Sequence, residues 1–195
     1  MTGKDLAESA QVSPATVSQV MDGLERLDLL KPNWQGSAKG RQVSEPGRLL
    51  DQWAEHVALL EPPSFRRYFL PALRAEQLLD AVTHAFAGHD VQYAVSFEAA
   101  AQCYAPFLSN ISQVKCRAHT GAALEDALAA LGARVVDGGA NFYVMEAKAA
   151  GELLFREQIN GASLASPVQV YLDLLRSDGR AKELAKNLRK ERIQF

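Results

Sequence analysis

Apolar residues recur at helical spacing in two neighbouring segments at the start of the chain. The first, short segment comprises Leu6, Ala7 and Ala10. The second, longer stripe comprises Val17, Val20, Met21, Leu24, Leu27 and Leu30. Steps of three and four residues predict one buried face on each of two helices. Between them, Gln11-Val12-Ser13 interrupts the pattern, and we expect a tight polar break between the two helices.

The second helix has a recognisable beginning. Ser13 can accept a hydrogen bond from a free N–H of the first turn, and Pro14 suits the first helical position because it has no N–H to leave unpaired. A further helix is predicted over residues 47–60, with Leu49, Leu50, Trp53, Val57 and Leu60 on its buried face. Pro62-Pro63 ends this helix, so we place a domain boundary there, between residues 1–61 and 64–195.

Strand and helix patterns alternate in the second part of the chain. Strands are predicted over residues 65–70, 93–96, 113–118, 134–136, 141–145 and 152–155, and helices over 74–86, 98–104, 122–131, 167–175 and 180–192. The glycines of Asp137-Gly138-Gly139 suggest a hairpin between the fourth and fifth strands. Ser166 and Pro167 begin a helix whose Gln169 and Asp173 lie opposite its buried stripe. The expected class is α+β with a mixed sheet.

The first turns of the second helix carry short, uncharged residues on the face opposite the apolar stripe: Ser13, Ala15, Thr16, Ser18 and Gln19. A solvated helix face normally carries Lys and Glu, so small hydrogen-bonding groups indicate a partner that approaches closely. The major groove of DNA is such a partner. We expect these five residues to contact double-stranded DNA.

Residues 31–43 predict two strands joined by a glycine-bounded polar tip. Over residues 31–48 there are four basic residues against Glu45 alone. We expect Lys31, Lys39 and Arg41 to contact DNA phosphates, which supplies affinity without reading sequence. The alternative is a protein-binding domain with an ordinary solvated hairpin.

The pattern from Leu6 to Leu30, L-A-x-x-A-x-V-S-x-x-T-V-S-x-x-x-x-x-L-E-x-x-x-L-L, resembles the helix-turn-helix of winged bacterial regulators. The resemblance implies an N-terminal winged domain whose packing positions are Leu6, Ala7, Ala10, Val12, Val17 and Val20. Its turn position, often glycine in that family, is Gln11 here, so the resemblance implies a tight turn in which Gln11 adopts a positive φ. The pattern begins at the second helix of such a domain, so the first helix is supplied by other residues or by a partner, or is missing.

Composition confines any nucleic-acid site to a small part of the surface. The chain has 195 residues, 48% of them hydrophobic, and a formal net charge of −2. We find neither a basic leader followed by an apolar run nor a stretch of bilayer length, and we expect a cytoplasmic protein with no membrane partner. In that compartment the two cysteines, Cys103 and Cys116, are expected to be reduced.

Enzymatic signatures are weak. The sequence contains no Gly-x-Ser-x-Gly, no phosphate-binding glycine loop and no His-Glu-x-x-His. Cys103, Cys116 and His119 could in principle hold zinc, but a buried cysteine and a strand-end histidine explain them better. His84 and His89 flank a predicted helix C-terminus, where the helix dipole favours a histidine, so neither indicates a catalytic site. We therefore expect no catalytic residue, no metal and no cofactor.

Residues 93–101 resemble the start of a nucleotidyltransferase fold, in which a strand leads through a Gly-Ser turn into a helix. Here Ser96-Phe97 occupies the turn, and the next strand carries Lys115 and Arg117 where that fold has metal-binding carboxylates. The resemblance implies a degenerate nucleotidyltransferase-like scaffold. The alternative function is a nucleotidyltransferase-like enzyme or a nucleotide-binding module within residues 64–195.

The run from Ala165 to Arg189 resembles the closing motif of AbiEi-type antitoxins, the transcriptional regulators of type IV toxin-antitoxin systems. Together with the winged pattern, the resemblance covers most of the chain. It implies an autoregulating repressor that binds operator repeats and opposes a nucleotidyltransferase toxin functionally rather than through a stable complex. It leaves the oligomeric state as monomer or homodimer.

The last predicted helix is basic. Residues 180–192 contain six basic and two acidic residues. The ordinary explanation is a solvated surface. The alternative is a second contact with nucleic acid or an acidic partner, made by Arg180, Lys182, Lys186, Arg189 and Lys190.

Overall fold

The computed structural model describes residues 3–35, 38–71, 75–108 and 111–195. By its internal contacts the chain divides into two compact units, Met1–Leu59 and Leu60–Gln194. Helices and a mixed seven-stranded sheet make it an α+β protein, which confirms the predicted class. Within the described ranges, every helix is too short or too polar to cross a membrane.

The first unit contains three helices and one hairpin. Helix α1 (Gly3–Ala10) leads through a short turn to α2 (Pro14–Arg26). Strands β1 (Leu30–Gln35) and β2 (Ala38–Val43) pair antiparallel, and α3 (Pro46–Ala58) follows. Of the predicted glycine-bounded tip, residues 36–40, Gly36 and Ser37 lie outside the described residues, and residues 38–40 belong to β2.

Helix α2 ends four residues before the predicted stripe does. Asp28 adopts a left-handed φ of 56°, and the N–H of Leu29 donates to the carbonyl of Leu24 at 2.9 Å. This contact closes the helix and reverses the chain, so Leu30 begins β1 instead of extending α2. The prediction that Leu27 and Leu30 lie on the helix stripe is wrong.

The core of the first unit is small. Ala7, Val17 and Leu50 are buried, as predicted. Val12 and Val20, predicted to pack, are 42% and 54% exposed, and Trp53 and Leu60, predicted on a buried face, are 48% and 49% exposed. A unit of this size has too few elements to cover both sides of each helix, so part of the apolar surface faces solvent.

The second unit is built on the seven-stranded sheet. Its strands are β3 (Arg66–Phe69), β4 (Tyr93–Ser96), β5 (Val114–Ala118), β6 (Arg134–Val135), β7 (Phe142–Glu146), β8 (Glu157–Ile159) and β9 (Ala162–Leu164). They are ordered β6-β3-β7-β5-β4-β9-β8, with β5–β7 and β4–β9 parallel and the other pairs antiparallel. The helices are α4 (Ala75–Gly88), α5 (Phe97–Tyr104), α6 (Ala122–Ala130), α7 (Pro167–Leu175) and α8 (Ala181–Leu188), followed by a π-helical turn (Arg189–Ile193). Arg74, where the first of these helices is predicted to begin, lies outside the described residues.

Helices cover both faces of the sheet. Helix α4 packs with α6, and α5, α7 and α8 pack together. The Phe142 ring lies 6.0 Å from the ring of Phe86 on α4, whereas the ring of Phe65 lies between those of Tyr143 and Phe97, the first residue of α5. Because consecutive strand residues point to opposite faces, α4 and α5 lie on opposite sides.

Two strand predictions are wrong. The expected hairpin between residues 134–136 and 141–145 does not form, because β3 lies between β6 and β7 and pairs antiparallel with both. The expected strand at 152–155 overlaps a 3₁₀ turn (Ala150–Leu153) instead. The hairpin at this end joins β8 to β9 through Asn160 and Gly161, which both have positive φ and form the type of turn that matches strand twist.

The predicted position of Asp173, opposite the buried stripe of its helix, would expose it to solvent. The structure contradicts this, because Asp173 is buried. Its side chain is 2% exposed and accepts hydrogen bonds from Ser96 at 2.5 Å, Arg117 at 2.5 Å and Gln169 at 2.9 Å. Ser96 and Arg117 are also buried. The carboxylate thus joins β4, β5 and α7, and α7 begins at the predicted Ser166 cap, which accepts from the N–H of Gln169 at 3.2 Å.

Replacement of Asp173 by Ala is predicted to destabilise the second unit strongly. It leaves the buried Arg117 guanidinium with the more distant carboxylate of Glu152, at 3.4 Å, and the weak sulfur acceptor of Met145, and it removes the acceptor of Ser96. Loss of one partner of a buried pair costs about 3–5 kcal/mol. Urea unfolding followed by far-UV circular dichroism measures the change in the free energy of unfolding.

The matched control is Arg180→Gln, which breaks an exposed ion pair with Glu183 at 3.2 Å. Exposed pairs contribute about 0–1 kcal/mol, so this variant should unfold nearly as the wild type does. Similar losses in the two variants would contradict the assigned role of Asp173.

Candidate nucleic-acid interface

The turn between α1 and α2 has the predicted backbone. Gln11 has a φ of 54°, and its N–H donates to the carbonyl of Glu8 at 3.2 Å. The N–H of Val12 reaches back to the carbonyl of Ala7 at 3.0 Å. These bonds satisfy carbonyls at the end of α1 and turn the chain in three residues. The geometry confirms the positive φ predicted at Gln11.

Helix α2 begins at the predicted cap. Oγ of Ser13 accepts a hydrogen bond from the N–H of Thr16 at 3.1 Å, and the hydroxyls of Ser13 and Thr16 lie 2.9 Å apart. Pro14 is the first helical residue, and the first turn contains no acidic side chain. The helix dipole therefore leaves this end of α2 favourable to negative charge.

All five residues predicted to face a groove are exposed on the first two turns of α2: Ser13, Ala15, Thr16, Ser18 and Gln19. Their side chains are short, apart from that of Gln19. A partner can therefore approach the helix backbone closely while hydrogen-bonding groups remain available. The surface is neutral, and any attraction to phosphate comes from the helix terminus and neighbouring cations.

The hairpin residues predicted to contact phosphates differ in their surroundings. Lys31 on β1 is exposed, and the side chain of Lys39 lies outside the described part of the structure. Nε of Arg41 lies 2.5 Å from Oε1 of Glu25, and Nη2 lies 3.3 Å from Oδ1 of Asp22. The hydrogen bond to Glu25 raises the pKa of Arg41 above its ordinary value. Arg41 therefore holds the hairpin against α2.

The anchoring role of Arg41 is a functional feature that sequence reasoning missed. Asp22 and Glu25 lie three residues apart on α2, and this spacing is the signal that could have suggested a shared cation. Arg41 offsets two carboxylates that would otherwise repel a polyanion. Ser44 adds a second link, since its Oγ donates to the carbonyl of Asp28 at 2.9 Å.

The basic C-terminal surface is largely engaged in internal contacts. Arg180 pairs with Glu183, Lys190 pairs with Glu191 at 2.9 Å, and the Arg189 guanidinium lies 5.7 Å from the centre of the Tyr171 ring. Lys182 and Lys186 are exposed one turn apart on α8. These two lysines are the residues of the surface best placed to meet a partner.

Cys103, Cys116 and His119 do not form a ligand set. The described residues include no group of three His, Cys, Asp or Glu side chains that could hold a metal ion. Both cysteines are free thiols, and burial raises the pKa of each. Nδ1 of His119 lies 3.0 Å from the carbonyl oxygen of Ala147. Neither thiol is therefore activated as a nucleophile.

Contacts within the chain engage the three residues considered for a nucleotidyltransferase site, Ser96, Lys115 and Arg117. Ser96 directly precedes α5 and is completely buried against Asp173. Nζ of Lys115 lies 3.4 Å from Glu98, and Arg117 pairs with Asp173. Lys115 and Arg117 are thus each paired with a carboxylate of the chain itself.

Comparison with known proteins finds no matching family model, curated protein or solved structure. Function is therefore argued from the geometry of the residues. The exposed first turns of α2 and the hairpin anchored beside them are the best-defined candidate surface in the first unit.

Replacement of Gln11 by Gly is predicted to stabilise the first unit by about 0.5–1 kcal/mol, because glycine adopts a positive φ without steric cost. Both tryptophans, Trp34 and Trp53, lie in this unit, so their fluorescence during urea unfolding reports on it selectively.

The control is Gln19→Gly, which places glycine inside α2 at a helical φ and should destabilise the unit by about 1 kcal/mol. If Gln11→Gly also destabilised the unit, the left-handed turn would be disproved.

Proposed function

We propose that this chain is a DNA-binding transcriptional regulator whose N-terminal unit acts as a winged helix-turn-helix. The observation that carries the proposal is the exposed, uncharged face at the capped N-terminus of α2, beside a hairpin that Arg41 fixes to the same helix. Helix, short turn, helix and hairpin follow one another in the order of that fold.

In this proposal the first turns of α2 enter the major groove. Thr16, Ser18 and Gln19 supply hydroxyl and amide groups that donate to and accept from base edges, and Ala15 provides a methyl group for apolar contact with thymine. The Ser13 cap and the Thr16 hydroxyl are already hydrogen-bonded, which reduces the entropy lost on binding.

The hairpin supplies backbone contacts. Lys31 is exposed on β1, and we propose that Lys39 shares its role. Arg41 acts indirectly, by neutralising Asp22 and Glu25 and fixing the hairpin. With a formal net charge of −2, the chain should bind DNA with an affinity that depends weakly on salt and rests on base contacts.

We further propose that the regulator is a cytoplasmic, non-enzymatic antitoxin of a type IV system, which represses its own operon and opposes a nucleotidyltransferase toxin without a stable complex. The support is the resemblance of residues 165–189 to AbiEi-type antitoxins. A neighbouring gene that encodes a nucleotidyltransferase with intact metal-binding carboxylates would agree with this assignment.

The alternative, a nucleotidyltransferase-like enzyme within residues 64–195, has less support. The buried contacts of Ser96 and Arg117 leave no free carboxylate pair beside that turn among the described residues. Magnesium-dependent labelling of RNA or protein by the purified chain, abolished by Ser96→Ala, would favour the enzyme instead.

Thr16→Ala and Gln19→Ala are predicted to relax sequence specificity. Binding sites are first selected from a random duplex library, and affinities for the selected site and its single-base variants are then compared. Each lost base contact should reduce discrimination at one position by about 1–3 kcal/mol while non-specific affinity is retained.

The matched control is Gln77→Ala, an exposed glutamine on α4 of the other unit. It should leave every affinity unchanged. Selection of no consensus, or unchanged discrimination in both α2 variants, would contradict base reading by α2.

Lys31→Gln is predicted to weaken binding to all duplexes equally and to reduce the slope of log K against log salt concentration by about 1. Lys148→Gln removes an exposed lysine of the second unit and should change neither quantity. A chain that does not bind duplex DNA even at low salt would overturn the proposed function.

A further inference from the structure

A row of three side chains crosses neighbouring strands on one face of the second unit. Arg67 on β3 lies opposite Tyr143 on β7, and Tyr143 lies beside Lys115 on β5. Residues directly opposite on paired strands point to the same face of a sheet. Two cationic side chains therefore flank one aromatic ring, on the side of the sheet that α5 covers.

A cavity of about 270 Å³ lies against this row. Its other boundaries are Phe65, Gln113 and the loop of residues 137–140. The rings of Phe65 and Tyr143 are 6.0 Å apart with an interplanar angle of 83°. The cavity thus combines apolar aromatic surface with positive charge, as in many sites for small molecules that carry both a ring and an anionic group.

Two side chains hold the loop that borders the cavity through hydrogen bonds to its carbonyl groups. Arg67 donates from Nη1 to the carbonyl of Asp137 at 3.3 Å, and the Tyr143 hydroxyl donates to the carbonyl of Ala140 at 3.1 Å. The backbone N–H groups of residues 137–140 have no acceptor within the described portion of the chain. Gly139 has a φ of 71°, and successive free N–H groups near such a residue are a common way to bind an anion.

Of the two cations, Arg67 retains donors for a ligand, whereas Lys115 is engaged within the chain. Arg67 is exposed and uses one of its five donors on the loop. Nζ of Lys115 lies 4.8 Å from the centre of the Phe97 ring and makes a loose pair with Glu98 at 3.4 Å. Asp137 is the one acidic residue at the cavity border, and its carbonyl rather than its carboxylate contacts Arg67.

We propose that this cavity binds a small organic phosphate. The phosphate group contacts Arg67 and the N–H groups of the 137–140 loop, and a flat ring packs against Phe65 and Tyr143. A volume near the lower end for ligand pockets fits a nucleoside monophosphate rather than a triphosphate. The site lies in the second unit and adds a ligand to a chain whose proposed DNA contacts are in the first.

Calorimetric titration of the full chain at low salt tests the proposal with four probes: AMP, adenosine, ribose 5-phosphate and inorganic phosphate. AMP should bind at least about tenfold more tightly than the other three, because only it offers both groups. A short RNA with a 5′-phosphate, compared with its 5′-hydroxyl form, distinguishes a strand end from a free nucleotide as the source of the phosphate. Binding of AMP or of the 5′-phosphorylated RNA would support the proposed site.

Arg67→Gln should weaken AMP binding at least about tenfold, since it removes the charge that faces the phosphate. Tyr143→Phe keeps the ring but frees the loop carbonyl of Ala140, and should weaken binding to a smaller extent. Arg134→Gln removes an exposed arginine that lies over Phe69, away from the cavity, and should bind AMP as the wild type does.

Far-UV circular dichroism establishes that each variant keeps the wild-type fold. If neither AMP nor the 5′-phosphorylated RNA bound at millimolar concentration, or if Arg67→Gln and Arg134→Gln bound AMP equally, the proposal would be wrong. Neither result depends on DNA binding, so this site and the proposed function fail separately.

Discussion

The buried carboxylate of Asp173 constrains most of the second unit. A charge removed from water must be matched by donors at hydrogen-bond distance, and here Ser96, Arg117 and Gln169 supply them from β4, β5 and α7. These three elements can move relative to one another only by leaving a charge unpaired. The register that brings Arg117 to Asp173 also places Lys115, two residues earlier on the same strand, beside Tyr143. The ionic contact and the cavity on that face thus depend on one strand alignment.

A second ionic contact divides α2 into two functional halves. Toward its C-terminal end, Asp22 and Glu25 are occupied by Arg41 from the hairpin. Toward its N-terminal end, the residues from Ser13 to Gln19 on the polar face make only local contacts and stay exposed. Internal contacts therefore engage the acidic part of the helix and leave the neutral part exposed. Under the proposed function, a polyanion would meet the end of α2 where the dipole is favourable, while the carboxylates are compensated by Arg41.

The sequence predicted features that depend on adjacent residues and missed those that depend on distant ones. The Ser13 cap and the Ser166 cap each follow from a few neighbouring residues, and both are present. The positive φ of Gln11 is implied by the resemblance to a helix-turn-helix, and it is also present. Asp173 and Arg117 are separated by 56 residues, and no local pattern distinguishes a buried aspartate from a solvated one. The pairing of β3 with both β6 and β7 is non-local in the same way. The Asn160-Gly161 hairpin is different, because its turn signal is plain in the sequence and should have been recognised.

The position of β3 has a consequence for biosynthesis. This strand is made near the start of the second unit, yet both of its partners emerge from the ribosome much later, and Asn141, which clamps its end through Leu70, follows 71 residues behind. Until then the nascent strand carries two unsatisfied edges, a state that favours association with other chains. β3 can therefore pair with β6 and β7 only after both have been translated. During that interval, the exposed edges of β3 are the part of the sheet that most needs protection by holding chaperones.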